Sequence, residues 1–125
     1  MQNHVISLTT ATDRRQHIIQ EFTKQNIPFE FYDAITISQL TEVSKALGLR
    51  LAESERLSPI EKACFLSHVC LWQKIIDDNL EYMSIFEDDI YLGENANNFL
   101  TDDQWVLDNL IDMDIIKLET ALEKT

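Results

Sequence analysis

Apolar positions along this chain switch between two periods, and the switches mark its elements. Residues 4–8, HVISL, form a short β-branched apolar run followed by Thr9 and Thr10, the pattern of a buried first strand. Ile18, Ile19 and Phe22 then recur at helical spacing. Asp13 and Gln16 stand where a capping box would open that helix, and Pro28 stops it beyond Asn26. Residues 29–35, FEFYDAI, alternate and are aromatic, which predicts a second strand. Thr36 and Gln39 form another capping box ahead of Ile37, Leu40, Val43 and Leu47, and Gly48 ends that helix. Residues 49–57 read as an exposed polar connection.

Ser58-Pro59-Ile60-Glu61 is the strongest helix start in the chain: an N-cap, a proline at the first position and a glutamate at the third. The helix is expected to reach about Asp78. Ile60, Cys64, Leu71 and Ile75 form one stripe, widened by Phe65, Val69, Trp72 and Ile76, so this helix is expected to be largely buried. Residues 82–86, YMSIF, predict a third strand running into Glu87-Asp88-Asp89. Thr101 and Gln104 open a helix to about Ile111, with Trp105, Leu107 and Leu110 facing the core; residues 115–118, IIKL, predict a fourth strand. Strands alternating with helices imply an α/β domain with a mostly parallel sheet flanked by helices.

Composition narrows the function. With 125 residues the chain can build one real core, and 45% hydrophobic content makes it globular. The formal charge of -12 argues against nucleic acid or an anionic membrane surface as the main partner. Residues 81–125 hold 12 of the 22 acids and only 2 of the 10 bases. There are two glycines, and neither a GxGxxG nor a GxxxxGK[ST] phosphate loop. Cys64 and Cys70 have no zinc-finger spacing and read as buried, reduced thiols. No signal peptide or membrane-spanning run is visible, so a soluble cytoplasmic location is expected.

In an open α/β sheet, ligands bind beyond the carboxyl ends of the strands. Those ends read Ser7-Leu8-Thr9-Thr10, Asp33-Ala34, Glu87-Asp88-Asp89 and Glu119, so every strand but the first ends in acid. Three adjacent carboxylates repel one another unless solvent or a cation screens them. The triplet therefore reads either as a solvated turn or as hard oxygen ligands for Mg²⁺ or Mn²⁺ shared with substrate phosphates. Asp33 fits an Asx turn as well as a site. Arg14 and Arg15 oppose the dipole of the helix they open, which suits either a solvated pair or an anionic ligand nearby. His68 is either a satisfied core histidine or a site residue. Lys117 either pairs with a carboxylate or holds a phosphate.

Four segments in order, HVISLTTATDRRQHI, FEFYDAI, LSPIEKACFLSHVCLW and IFEDDIYLGENA, resemble glycosyltransferase family 25, which includes lipooligosaccharide galactosyl- and glucosyltransferases. The resemblance implies a GT-A-like, Rossmann-type domain that transfers a hexose, with inversion, from a UDP-sugar to a lipooligosaccharide acceptor. It places Ser7, Leu8 and Arg14 beside the nucleotide and Asp33 and Ala34 beside the uracil or ribose. It implies that Glu87 and Asp89 hold Mn²⁺ or Mg²⁺, with Asp88 on the donor, and that Ser67 and His68 support the site; Lys117 is a candidate support from its place in the expected fourth strand. Family members are longer, so residues 1–125 are expected to be an N-terminal, truncated donor-binding part, inactive alone. No residue matches a general base, which inverting transfer needs, and peripheral contact with the inner membrane would come through the acceptor or the missing half. Two alternatives are a receiver-like phosphoacceptor domain, with Asp88 or Asp89 as acceptor and Lys117 as its partner, and a non-catalytic transferase remnant. The receiver pattern wants an acidic pair after the first strand, where this chain has Ser7 to Thr10.

Overall fold

A computed structural model describes residues 2–109 and residues 115, 116 and 118. Three parallel strands form the sheet: β1 (Asn3–Ser7), β2 (Glu30–Asp33) and β3 (Ser84–Glu87), in the order β2-β1-β3. β1 is buried along its whole length, its polar residues Asn3, His4 and Ser7 included, as the central strand of a parallel sheet is. Helix α1 (Thr12–Lys24) joins β1 to β2. Helix α2 (Leu40–Ala46) and the long α3 (Pro59–Asp77) lead from β2 to β3 on the other side of β1. The chain thus turns one way from β1 and then the other, which puts a topological switch point between the carboxyl ends of β1 and β3. Two short helices, α4 (Asn97–Leu100) and α5 (Gln104–Asn109), follow.

Register explains the core. Val5 is level with Phe31 on β2 and Phe86 on β3, so one face of the sheet carries an apolar row. Ile18 and Phe22 of α1 close over that row with Ile27 and Leu100. Phe22 sits 4.7 Å from Phe29 and 5.7 Å from Phe86 between ring centroids, tilted and edge-on. At the opposite end of β1, buried Asn3 donates through Nδ2 to the carbonyls of Pro28 (3.0 Å) and Leu100 (2.9 Å) and so ties the strand to α4.

A chain with two glycines still has to end its helices, and asparagine supplies what glycine would. Asn26 after α1 and Asn79 after α3 both take positive φ, 55° and 53°, as Gly48 does after α2 at 69°. In each case the next residue donates back to the third-from-last helical carbonyl: Ile27 to Phe22, Leu49 to Ser44 and Leu80 to Ile75. Ile27 and Phe22 also meet in the core, so the first of these turns is locked by packing.

The expected boundaries hold best where a full cap exists. At Ser58 the hydroxyl accepts from the Glu61 N–H at 3.1 Å and Glu61 Oε1 accepts from the Ser58 N–H at 3.2 Å. The Thr36–Gln39 box is present too, opening a 3-10 turn (Ile37–Gln39) that leads into α2. Asp13 does not cap α1: the helix starts one residue earlier, after a turn in which the Ala11 N–H reaches the Leu8 carbonyl, and Asp13 lies in the first turn. Asp102, not Thr101, bonds the start of α5, and Val106 is the residue of that helix that is buried, while Leu107 is exposed. Ile115, Ile116 and Leu118 are not in a strand, and Leu110, Lys117 and Glu119 lie outside the described residues.

The largest correction concerns α3. Its buried face is Ala63, Leu66, Ser67 and Leu71, together with Lys62. Ile60, Phe65, Trp72 and Ile76 are exposed, and Cys64 with them. The helix is apolar on nearly every side, so its sequence does not say which side meets the sheet. The buried side combines Leu66 and Leu71 with the small residues Ala63 and Ser67, and Ser67 bonds the Ile35 N–H just beyond β2. The expected burial of both thiols fails for the same reason: Cys64 is exposed and Cys70 half-buried.

Candidate functional site

The site grows out of the register at the switch point. One residue beyond the last β1–β3 pair, Ser7 and Asp88 face each other, and the Ser7 hydroxyl donates to Asp88 Oδ2 at 2.7 Å. Both are buried. Arg14, in the first turns of α1, donates through Nη1 to Asp88 Oδ1 at 3.2 Å, while its own side chain stays 65% exposed. Asp88 thus ties together the end of β1, the start of α1 and the end of β3. A charge-assisted bond on each oxygen compensates its burial.

The acidic triplet is resolved by alternation. Asp88 points inward, and Glu87 and Asp89 on either side are exposed. The turn that carries them is held along α1 by residues spaced four apart. His17 Nε2 meets the Ile90 carbonyl at 2.8 Å. Glu21 accepts from the Leu92 N–H at 3.1 Å. Gln25 bonds the Gly93 carbonyl at 2.7 Å and the Asn97 N–H at 3.0 Å. This spacing puts one face of α1 against the segment after β3.

Asp33 and Ala34 serve the other edge. Arg15 Nη2 donates to Asp33 Oδ1 and to the Ser7 carbonyl, both at 2.8 Å, and its Nε reaches the Leu8 carbonyl at 3.1 Å. Its guanidinium lies 4.6 Å over the Phe31 ring. The Ala34 N–H donates to the Ser7 carbonyl at 2.9 Å. Arg15 therefore clamps β1 to β2, and Arg14 is the one whose guanidinium faces solvent at the crevice. Arg15 went unassigned in the sequence because nothing in a tandem pair says which member turns inward. Leu8 is exposed at the same rim.

Ser67 is fully buried; its hydroxyl accepts from the Ile35 N–H and donates to the Ala63 carbonyl, both at 2.9 Å. It pins the chain leaving β2 onto α3, so any service to a ligand is indirect. At the next residue, His68 Nδ1 meets the Cys64 carbonyl at 3.0 Å, and Cys64 Sγ donates to Glu87 Oε1 at 3.4 Å. Partial burial, then Glu87 and Asp89, hold the Cys64 thiol above its usual pKa. Cys64 was missed as a site residue, although its spacing of four from His68 on a helix was a readable signal. Lys117 lies outside the described residues. Among the described residues, no helix is long and apolar enough to cross a membrane.

A three-stranded parallel sheet flanked by helices, with the strand order reversing at β1, is a partial Rossmann-like fold. Residues 1–125 match the family model of glycosyltransferase family 25 (LPS biosynthesis protein), and the chain belongs to that family. It is 46% identical, over 99% of its length, to the lacto-N-neotetraose biosynthesis glycosyltransferase LgtE of Neisseria gonorrhoeae. It is 48% identical, over 96% of its length, to the lipooligosaccharide biosynthesis protein lic2B of Haemophilus influenzae. It is 47% identical, again over 96%, to the lacto-N-neotetraose biosynthesis glycosyltransferase LgtB of Neisseria meningitidis serogroup B. The chain spans 45%, 46% and 45% of these three relatives, slightly under half of each. The family match leaves the phosphoacceptor alternative without support, and Asp88, one of its two candidate acceptors, is already bonded on both oxygens.

Proposed function

We propose that this chain is the donor-binding part of a glycosyltransferase that moves galactose or glucose from a UDP-sugar to a lipooligosaccharide acceptor, with inversion. The observation that carries this reading is the junction of Ser7, Arg14 and Asp88 at the switch point, with the Arg14 guanidinium exposed beside it and the exposed carboxylates of Glu87 and Asp89 flanking Asp88 in the chain. The arginine suits a diphosphate as a planar, permanently charged donor. Glu87 and Asp89 fit a Mg²⁺ or Mn²⁺ ion held by one or two carboxylates, with the remaining positions left to water and phosphate oxygens. Such an ion would neutralise charge on the departing diphosphate. Within this reading the protein works in the cytoplasm, and contact with the inner membrane comes through the acceptor.

Calorimetric titration of UDP, with and without Mn²⁺, tests the reading on wild type, Asp89→Ala and Arg14→Ala. UDP is expected to bind more tightly with Mn²⁺. Asp89→Ala removes that increment, and Arg14→Ala weakens binding in both conditions. A folded chain that binds no UDP in the presence of Mn²⁺ overturns the donor-site reading. A metal increment that survives Asp89→Ala overturns the ligand assignment.

A further inference from the structure

On the side of the acidic turn away from α1, one cluster has a different chemistry. The potential ligand atoms of Cys64, His68 and Glu87 lie within 4.8 Å of one another. Cys64 and His68 are one helical turn apart on the same face of α3, and Glu87 comes from the end of β3. We propose that these three side chains bind a single divalent ion of the zinc class, one thiolate, one imidazole and one carboxylate, with a fourth position open to solvent.

The donor set selects the metal. A thiolate with an imidazole suits Zn²⁺, whereas Mg²⁺ and Ca²⁺ take oxygen ligands only. Ligand atoms around a tetrahedral zinc stand roughly 3.5 Å apart, given bonds of about 2.0–2.3 Å. The Sγ–Oε1 distance of 3.4 Å already meets that spacing. The hydrogen bond of the imidazole decides which nitrogen is left to take a metal. With Nδ1 donating to the Cys64 carbonyl at 3.0 Å, the lone pair sits on Nε2. Binding replaces the thiol proton, which passes to solvent, with the metal. Three protein ligands and an open position are the arrangement of reactive zinc sites rather than structural ones. Cys64 and His68 also border a groove of about 450 Å³ lined by Leu57, Glu61, Phe65 and Trp72. Glu87 would then belong to this site, leaving Asp89 as the carboxylate for the hard ion. The proposal does not depend on nucleotide binding, since the metal alone is its probe.

The test is a Co²⁺ titration of the full chain, kept reduced with a phosphine and followed by absorption. Wild type is expected to show a thiolate-to-cobalt charge-transfer band and tetrahedral d–d bands that saturate at one ion per chain, and Zn²⁺ is expected to displace both. Cys64→Ser and Cys64→Ala abolish the charge-transfer band, and Cys70→Ser keeps it. His68→Gln and Glu87→Gln each weaken Co²⁺ binding about tenfold or more. Asp89→Ala leaves Co²⁺ binding near wild type, which separates this site from the Mn²⁺ increment of UDP binding. Far-UV circular dichroism confirms that each variant is folded. No thiolate band in the wild type overturns the proposal, as does a band that survives both Cys64 variants, or Co²⁺ affinity unchanged in both His68→Gln and Glu87→Gln.

Discussion

The two long helices flank the same sheet and spend their apolar residues differently. α1 is the more polar, and two of its three large apolar residues, Ile18 and Phe22, are completely buried over Val5, Phe31 and Phe86, with Ile19 left exposed. α3 is the more apolar, yet it buries Leu66 and Leu71 and turns Ile60, Phe65, Trp72 and Ile76 to solvent, with Ile60 and Ile76 72% and 71% exposed. Hydrophobic content therefore measures how much of a helix could be covered, not how much this chain covers. Single exposed apolar residues need no explanation, but Phe65, Trp72 and Ile76 share one side of α3 and form a surface in its own right.

The largest expected effect tests the covered helix. Ile18→Ala removes a buried branched side chain from a row of packed aromatics and is expected to cost about 2–5 kcal/mol, from the lost transfer energy plus the cavity. Urea denaturation measures it. A cost below about 1 kcal/mol would mean that α1 is not holding the sheet as its packing indicates.

A smaller effect is expected where the two sides of the sheet are joined. Asp88→Ala leaves the buried Ser7 hydroxyl and the Arg14 guanidinium without their carboxylate, and about 1–3 kcal/mol should be lost. Asp89→Ala, one residue on and exposed, should change stability by less than about 0.5 kcal/mol. Equal losses in the two variants would contradict the alternation that divides the triplet.

The sequence was legible where one local signal sufficed. The capping boxes at Thr36 and Ser58, the apolar run of β1 and the acid at the end of β3 each appear where expected, and with them the parallel α/β order. It was not legible where two choices cost the same locally. Arg14 and Arg15 are identical side by side, and only the position of Asp33 beside Ser7 decides that Arg15 turns in. α3 carries apolar residues on several sides, so its stripe named Leu71 but not Ala63, Leu66 and Ser67, which are buried with it. The pairing of Ser7 with Asp88 needed the register of two strands 81 residues apart, which no local pattern carries. The Cys64–His68 spacing was present in the sequence, but the carboxylate completing the cluster comes from another element.

The smallest expected effect tests the comparison most directly, because it repeats the first substitution on the other helix. Ile76→Ala removes the same side chain from α3, but at an exposed position, so almost no buried area is lost. Alanine is also the better helix former, by a few tenths of a kcal/mol. The two terms nearly cancel, and the change should lie within about 0.5 kcal/mol of zero in this chain. The stability should also be independent of protein concentration. A loss like that of Ile18→Ala, deepening as the protein is concentrated, would show that the exposed face of α3 is covered by a second copy of the chain. The contrast between the helices would then be one of partner, with α1 covered within the chain and α3 between chains.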